Sequence, residues 1–175
     1  MRNGFQKTAA FAVPFLILIA MTIPPLMTLA FGKEIDLQMK AVDPTDAFRG
    51  DYVTVNLEAE TVPSSRLDNQ VIQKIKRHEN EKHTVYAVLK KGKNGSYVVD
   101  KVVAKKPAYG LYLRGTIDMY WGSADNAAVI DYHLDRYFVP ENSGKQLENA
   151  SAQGKAQAVV KVWRGRAVLV NVKAE

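Results

Sequence analysis

From Thr8 to Phe31 the chain runs 24 residues without a charge. At 1.5 Å of rise per residue, such a run makes about 36 Å of helix, enough to cross a hydrocarbon core of about 30 Å with some tilt. Arg2 and Lys7 precede it, whereas Lys33, Glu34 and Asp36 follow as a mixed set. Basic residues stay on the cytoplasmic side. The expected topology is a single pass through the cytoplasmic membrane, N-terminus inside, with everything after Phe31 outside, periplasmic or extracellular. Two readings of the run stay open. Thr28-Leu29-Ala30 is a passable cleavage site for a signal peptide, while the length of the run favours an uncleaved anchor. Pro14 falls early enough to kink the helix without breaking it, and Pro24-Pro25 are expected to end or bend it near the outer leaflet. The expected organisation is an anchor over 1–31 and an exported β-rich domain over 32–175.

Beyond Gly32 the hydrophobic period changes to two. Ile35, Leu37 and Met39 alternate with Asp36, Gln38 and Lys40, and in Tyr52–Glu60 the residues Val53, Val55 and Leu57 share one face. Thr84–Lys90 and Tyr97–Ala104 flank Gly92-Lys93-Asn94-Gly95, and Ala158–Trp163 and Ala167–Val172 bracket Arg164-Gly165. Both arrangements predict hairpins. Further short strands are expected at 111–113, 128–133 and 137–139. Helical spacing is confined to Leu67–Arg77, with Asp68 near its start, and to a capping-box pattern at Ser143–Gln146 that would open a helix through Ala150. The predicted fold is mainly β, an N-terminal transmembrane helix followed by an antiparallel β-sandwich or partly open β-barrel with one or two short helices.

Composition narrows the chemistry. There is no cysteine, so disulfides, thiolate metal sites and thiol nucleophiles are excluded. His78, His83 and His133 lack metal-ligand spacing, and no cofactor or metal is expected. Between Gln70 and Lys106 ten basic residues face three acidic ones, a local charge of +7. Such a lobe can bind anionic lipid or cell-wall polymer, or it can keep exposed strands soluble and unpaired. Nucleic acid is not an expected partner, because no aromatic stacking platform accompanies the basic residues.

Two stretches stand out by composition. Asp43–Leu57 reads DPTDAFRGDYVTVNL, and Tyr132–Glu148 reads YHLDRYFVPENSGKQLE. The first resembles the GDYXXLXY family, with Gly50, Asp51 and Tyr52 at the motif positions after Arg49. The family's Leu and Tyr fall at Val55 and Leu57, so the second aromatic is missing. The second stretch is similar to the family's other signature, an aromatic-rich strand with Arg136, Tyr137 and Phe138 running into Val-Pro-Glu at Pro140 and Glu141. The resemblance covers nearly the whole chain. It implies a membrane-anchored bacterial protein from a family without an assigned activity, often encoded beside multi-span membrane proteins.

On their own residues, these stretches describe strand ends. Pro44 and the aspartates around it open a turn, Gly50 supplies a turn or bulge, and Tyr52 begins a strand. Pro140 stops a strand because it has no donor for another ladder bond. The alternative is a partner-binding surface made of Arg49, Gly50, Asp51, Tyr52, Arg136, Tyr137, Phe138, Pro140 and Glu141. The two signatures would then be spatial neighbours, with Arg49 or Arg136 pairing a carboxylate of the other.

Enzyme readings find little support. Pro44-Thr45 and Gly50-Asp51 on an anchored β-domain are similar to type I signal peptidases, but the position of their serine is held by Val42. A glycan hydrolase would need two carboxylates across a cleft, and Asp51 and Glu141 are the nearest candidates. No residue is singled out as catalytic. The expected function is a non-enzymatic accessory or binding subunit of a multi-span membrane protein.

Overall fold

The alternating runs and the apolar N-terminal run become one long helix and a mixed β-sheet in a computed structural model, which describes residues 2–41, 52–77, 81–117, 127–138, 150 and 153–174. Helix α1 (Arg2–Phe31) contains Pro14, Pro24 and Pro25. Pro24-Pro25 do not end it. The Thr28 hydroxyl donates to the Pro24 carbonyl at 3.0 Å, and the Gly32 N–H donates to the Thr28 carbonyl at 2.8 Å, so the turn after the prolines closes normally. Over Ala12–Phe31 the helix is long and apolar enough to cross a membrane. Phe15, Leu16 and Leu18 are each more than 60% exposed, as they would not be in the core helix of a globular domain.

The remaining described residues are mostly strands: β1 (Lys33–Gln38), β2 (Tyr52–Thr54), β3 (Thr61–Pro63), β4 (His83–Lys91), β5 (Tyr97–Val103), β6 (Tyr112–Ile117), β7 (Ala127–Asp131), β8 (Arg136–Phe138), β9 (Ala156–Trp163) and β10 (Arg166–Ala174). Eight of them form an open sheet in the order β10-β9-β1-β5-β4-β6-β7-β3, and β2 pairs with β8 apart from it. The mainly-β expectation holds, with one difference of direction. β1 runs parallel to β5, meeting it at Leu37 and Tyr97, while the other neighbours in the sheet are antiparallel. Leaving the helix, β1 is inserted between two hairpins, β4–β5 and β9–β10.

Both predicted hairpins form. Gly95 in the first turn and Arg164 and Gly165 in the second have positive φ, the last two at 51° and 84°. Consecutive left-handed residues give the turn twist that two-residue hairpins need. Gly165 also lies against the Tyr112 ring, where a β-carbon has no room. The alternation of β1 is real: Ile35, Leu37 and Met39 are 3%, 0% and 0% exposed. Helix α2 (Asn69–Arg77) adds Val71 and Ile75 to the same core. In the stretch after β2 the predicted strand stops short. Leu57 still bridges to Met39, but Glu58–Glu60 form a single 3₁₀ turn before β3. Of the helix expected from Ser143, Ala150 is helical and the rest lies outside the described residues.

The end of α1 is packed on β9 and β10. The Lys161 ammonium donates to the Leu29 carbonyl at 2.9 Å, and the rings of Phe31 and Trp163 lie 6.5 Å apart. Gly32 passes close to β9, where an added β-carbon would come within 3.1 Å of Lys161 Cβ and 3.2 Å of the Val162 nitrogen. The helix and the sheet are therefore joined by contacts as well as by the chain.

Candidate functional site

The two signature stretches meet. In the β2–β8 pair Tyr52 lies opposite Phe138, Val53 opposite Tyr137, and Thr54 opposite Arg136. The pairing continues one step further, because the Val55 N–H donates to the Asp135 carbonyl at 3.0 Å. Tyr52, Arg136, Tyr137 and Phe138 are thus brought into one two-stranded ribbon from opposite halves of the chain. Tyr137 also links the ribbon to the sheet edge, with its hydroxyl 3.4 Å from Asn171 Oδ1 on β10. Arg49, Gly50, Asp51, Pro140 and Glu141 lie outside the described residues, as do any Arg49–Glu141 pair and the Asp51–Glu141 carboxylate pair.

The approach to β8 is fixed by local hydrogen bonds. His133 has φ 59°, a left-handed conformation that costs most side chains free energy. Asp131 holds it there: one carboxylate oxygen accepts from the His133 N–H at 2.6 Å, and the other lies 3.0 Å from its Nδ1. Between them Tyr132 is buried, and its hydroxyl donates to the Ala59 carbonyl at 3.0 Å. The second signature is thereby tied to the turn that follows the first. Burial, with a smaller effect from the nearby Glu60 charge, pushes the Tyr132 phenol well above its ordinary range, so it remains a neutral donor.

Glu60 has an unusual environment for a carboxylate. Burial raises its pKa above the ordinary 4.5, opposed by a hydrogen bond from the Leu57 N–H at 3.0 Å and by the charge of Lys40. A carboxyl poised in this way could serve as a general acid. Here one oxygen is committed to the backbone donor that opens the 3₁₀ turn, which is the work of a capping residue. A cavity of about 530 Å³ lies beside that turn. Its two cations are already engaged, Lys40 with the Thr61 hydroxyl and Arg66 with the Val99 carbonyl at 2.6 Å.

The motif positions after Tyr52 explain the missing aromatic. Val55 and Leu57 are 1% and 0% exposed, so both are core positions in this chain. Replacing a tyrosine by Leu57 spares the core a hydroxyl that would need a buried partner, and it removes no surface group. The ten basic residues of the lobe from Lys74 to Lys106 are all exposed, spread over α2, β4, β5 and their connections. Lys90 pairs with Asp100 at 2.6 Å and holds that carboxyl below its usual range. Among the described residues, no three His, Asp or Glu side chains are grouped as a metal site.

A family model described as GDYXXLXY protein matches residues 14–172, which include both signatures and most of α1. No curated protein and no solved structure matches the chain.

Proposed function

We propose, for a chain that belongs to the GDYXXLXY family, that it is a single-pass protein of the cytoplasmic membrane. Its N-terminus is cytoplasmic, its β-domain (32–175) is exported, and it acts as a non-enzymatic accessory subunit of a multi-span membrane protein. The observation that carries this reading is the β2–β8 ribbon, which gathers both signatures into one feature distinct from the main sheet. The ribbon stands outside the eight-stranded ladder with Tyr137 packed on the core, and its other face is the one assigned to a partner. Tyr52, Arg136, Tyr137 and Phe138 belong to it, and with Arg49, Gly50, Asp51, Pro140 and Glu141, which adjoin them in sequence, they are the residues assigned to the partner.

The anchored state is supported by the end of α1. Thr28 is fully buried against the sheet, and the Leu29 carbonyl is held by Lys161. Cleavage after Ala30 would discard both interactions. The mixed charge after Phe31 and the basic residues before Thr8 support the orientation.

The test uses the absence of cysteine. Single cysteines at Tyr52 and Phe138 carry a photo-crosslinker in native membranes, and adducts are identified by mass spectrometry. A specific adduct with one multi-span membrane protein is expected from both positions. Adducts confined to the chain itself would make the ribbon a scaffold and contradict the proposal.

A further inference from the structure

A cleft of about 330 Å³ separates the last turns of α1 from the face made by β6 and β10. Its walls include Pro25 and Thr28 on the helix, Arg114 and Thr116 on β6, His133, and Arg166 at the start of β10. We propose that this cleft binds the phosphate-bearing headgroup of an anionic membrane lipid. The proposal rests on α1 being an uncleaved anchor.

The depth of the cleft suits a lipid headgroup. Pro25 and Thr28 precede Phe31 by six and three residues, which is about 9 and 5 Å along the helix axis. The charge-free run from Thr8 makes about 36 Å of helix against a hydrocarbon core of about 30 Å, so with Thr8 at the inner boundary the last turn, Thr28 to Phe31, lies in the outer polar zone, about 5–8 Å thick, at headgroup level. The surroundings fit an interface. Phe31 and Trp163 are adjacent, and the Arg164 guanidinium lies 4.7 Å from the centre of the Trp163 ring. Aromatic side chains with basic neighbours are the usual residues at that depth.

The charge of the cleft suits an anion. The lining holds two guanidinium groups and an imidazole and no carboxylate. Among the described residues neither Arg114 nor Arg166 has an acidic partner. Asp131, which lies opposite Thr116 on the neighbouring strand, is occupied by His133. The fold sets the two arginines together deliberately: the Arg114 N–H donates to the Gly165 carbonyl at 2.7 Å, which brings the β9–β10 turn across onto β6. The C-terminal end of a helix is itself unfavourable for an anion. Lys161 offsets that through its bond to the Leu29 carbonyl, leaving both arginines for a ligand. The cavity volume is at the lower end of the roughly 300–1,000 Å³ of small-ligand sites, as suits one headgroup with its acyl chains outside.

The proposal is tested on the full chain in detergent and in nanodiscs. Native mass spectrometry compares retention of phosphatidylglycerol with that of phosphatidylcholine for the parent, for R114Q/R166Q, and for K91Q/K93Q as a charge control. The parent retains phosphatidylglycerol preferentially, and its unfolding temperature rises with that lipid. R114Q/R166Q weakens retention about tenfold or more and abolishes the shift, while the control behaves as the parent. Equal retention by R114Q/R166Q would overturn the site. Arginine-dependent binding of inorganic phosphate, with no preference between the lipids, would make the ligand free phosphate and overturn the lipid assignment. Alkaline carbonate extraction separates the two levels of the account. A shortened chain released from the membrane overturns the anchor, and the cleft with it. An integral chain without arginine-dependent lipid retention overturns the cleft alone.

Discussion

Lys161 Nζ reaches from the middle of β9 to the Leu29 carbonyl, 2.9 Å away in the last turn of α1. An ammonium at that place satisfies an acceptor that the helix leaves unpaired and meets the negative end of its dipole. The contact helps hold the sheet to its own helix, with the Phe31–Trp163 ring contact and the close passage of Gly32 over β9. A domain fixed in this way cannot swing freely about a linker.

Gly32 is the least replaceable residue of that junction. An added β-carbon meets the Thr28 carbonyl and the β9 backbone, neither of which is the end of a flexible side chain. G32A is expected to destabilise the full chain by about 1–3 kcal/mol. Thermal unfolding in detergent measures it, and an unchanged midpoint would show that helix and sheet are not packed as described.

Tyr132 connects the two signature regions through one buried bond to the Ala59 carbonyl. Y132F removes the donor and leaves that acceptor without its partner, at a cost of about 1–3 kcal/mol. Denaturant unfolding of the full chain reads the difference. A variant as stable as the parent would mean that the hydroxyl is not the strut.

Much of this architecture can be read from residue order, and the exceptions have physical reasons. The alternation at Ile35, Leu37 and Met39 reports burial on one face, and all three are buried. Arg164-Gly165 announces its turn because only a few residue pairs tolerate positive φ twice. Alternation carries no information about neighbours, so the parallel meeting of Leu37 and Tyr97 is not visible in it. Pro63 argues against a strand, yet β3 forms because it is the edge of the sheet, where a missing donor costs little. The ribbon was legible, since both signatures run into strands that need partners. The arginines of the cleft were not: Arg114 falls just past the strand expected at 111–113, and only the crossing of the β9–β10 turn onto β6 puts it in one cleft with Arg166.

Glu60 gives a pH signature. Burial raises its pKa in the folded chain above the ordinary 4.5, so the folded state binds the proton more tightly than the unfolded one. Its contribution to stability therefore falls as pH rises from 4.5 through the folded value, and the loss persists at neutral pH. E60Q keeps an oxygen to accept from the Leu57 N–H and cannot ionise. The expected difference between variant and parent grows in favour of E60Q from pH 4.5 to pH 7. A difference that moves the other way would show that the attraction of Lys40 outweighs burial.

Cysteine pairing reads whether the two signatures form one ribbon in register. Val53 and Tyr137 are opposite one another, and antiparallel partners have Cα atoms about 4.5–5.5 Å apart, within the range a disulfide spans. The parent chain has no cysteine to interfere. V53C/Y137C in native membranes is expected to form an intramolecular disulfide on mild oxidation, with V53C/F138C, one residue out of register, forming much less. Absence of the bridge in the first pair, or equal bridging in both, would contradict the ribbon and the working face built on it.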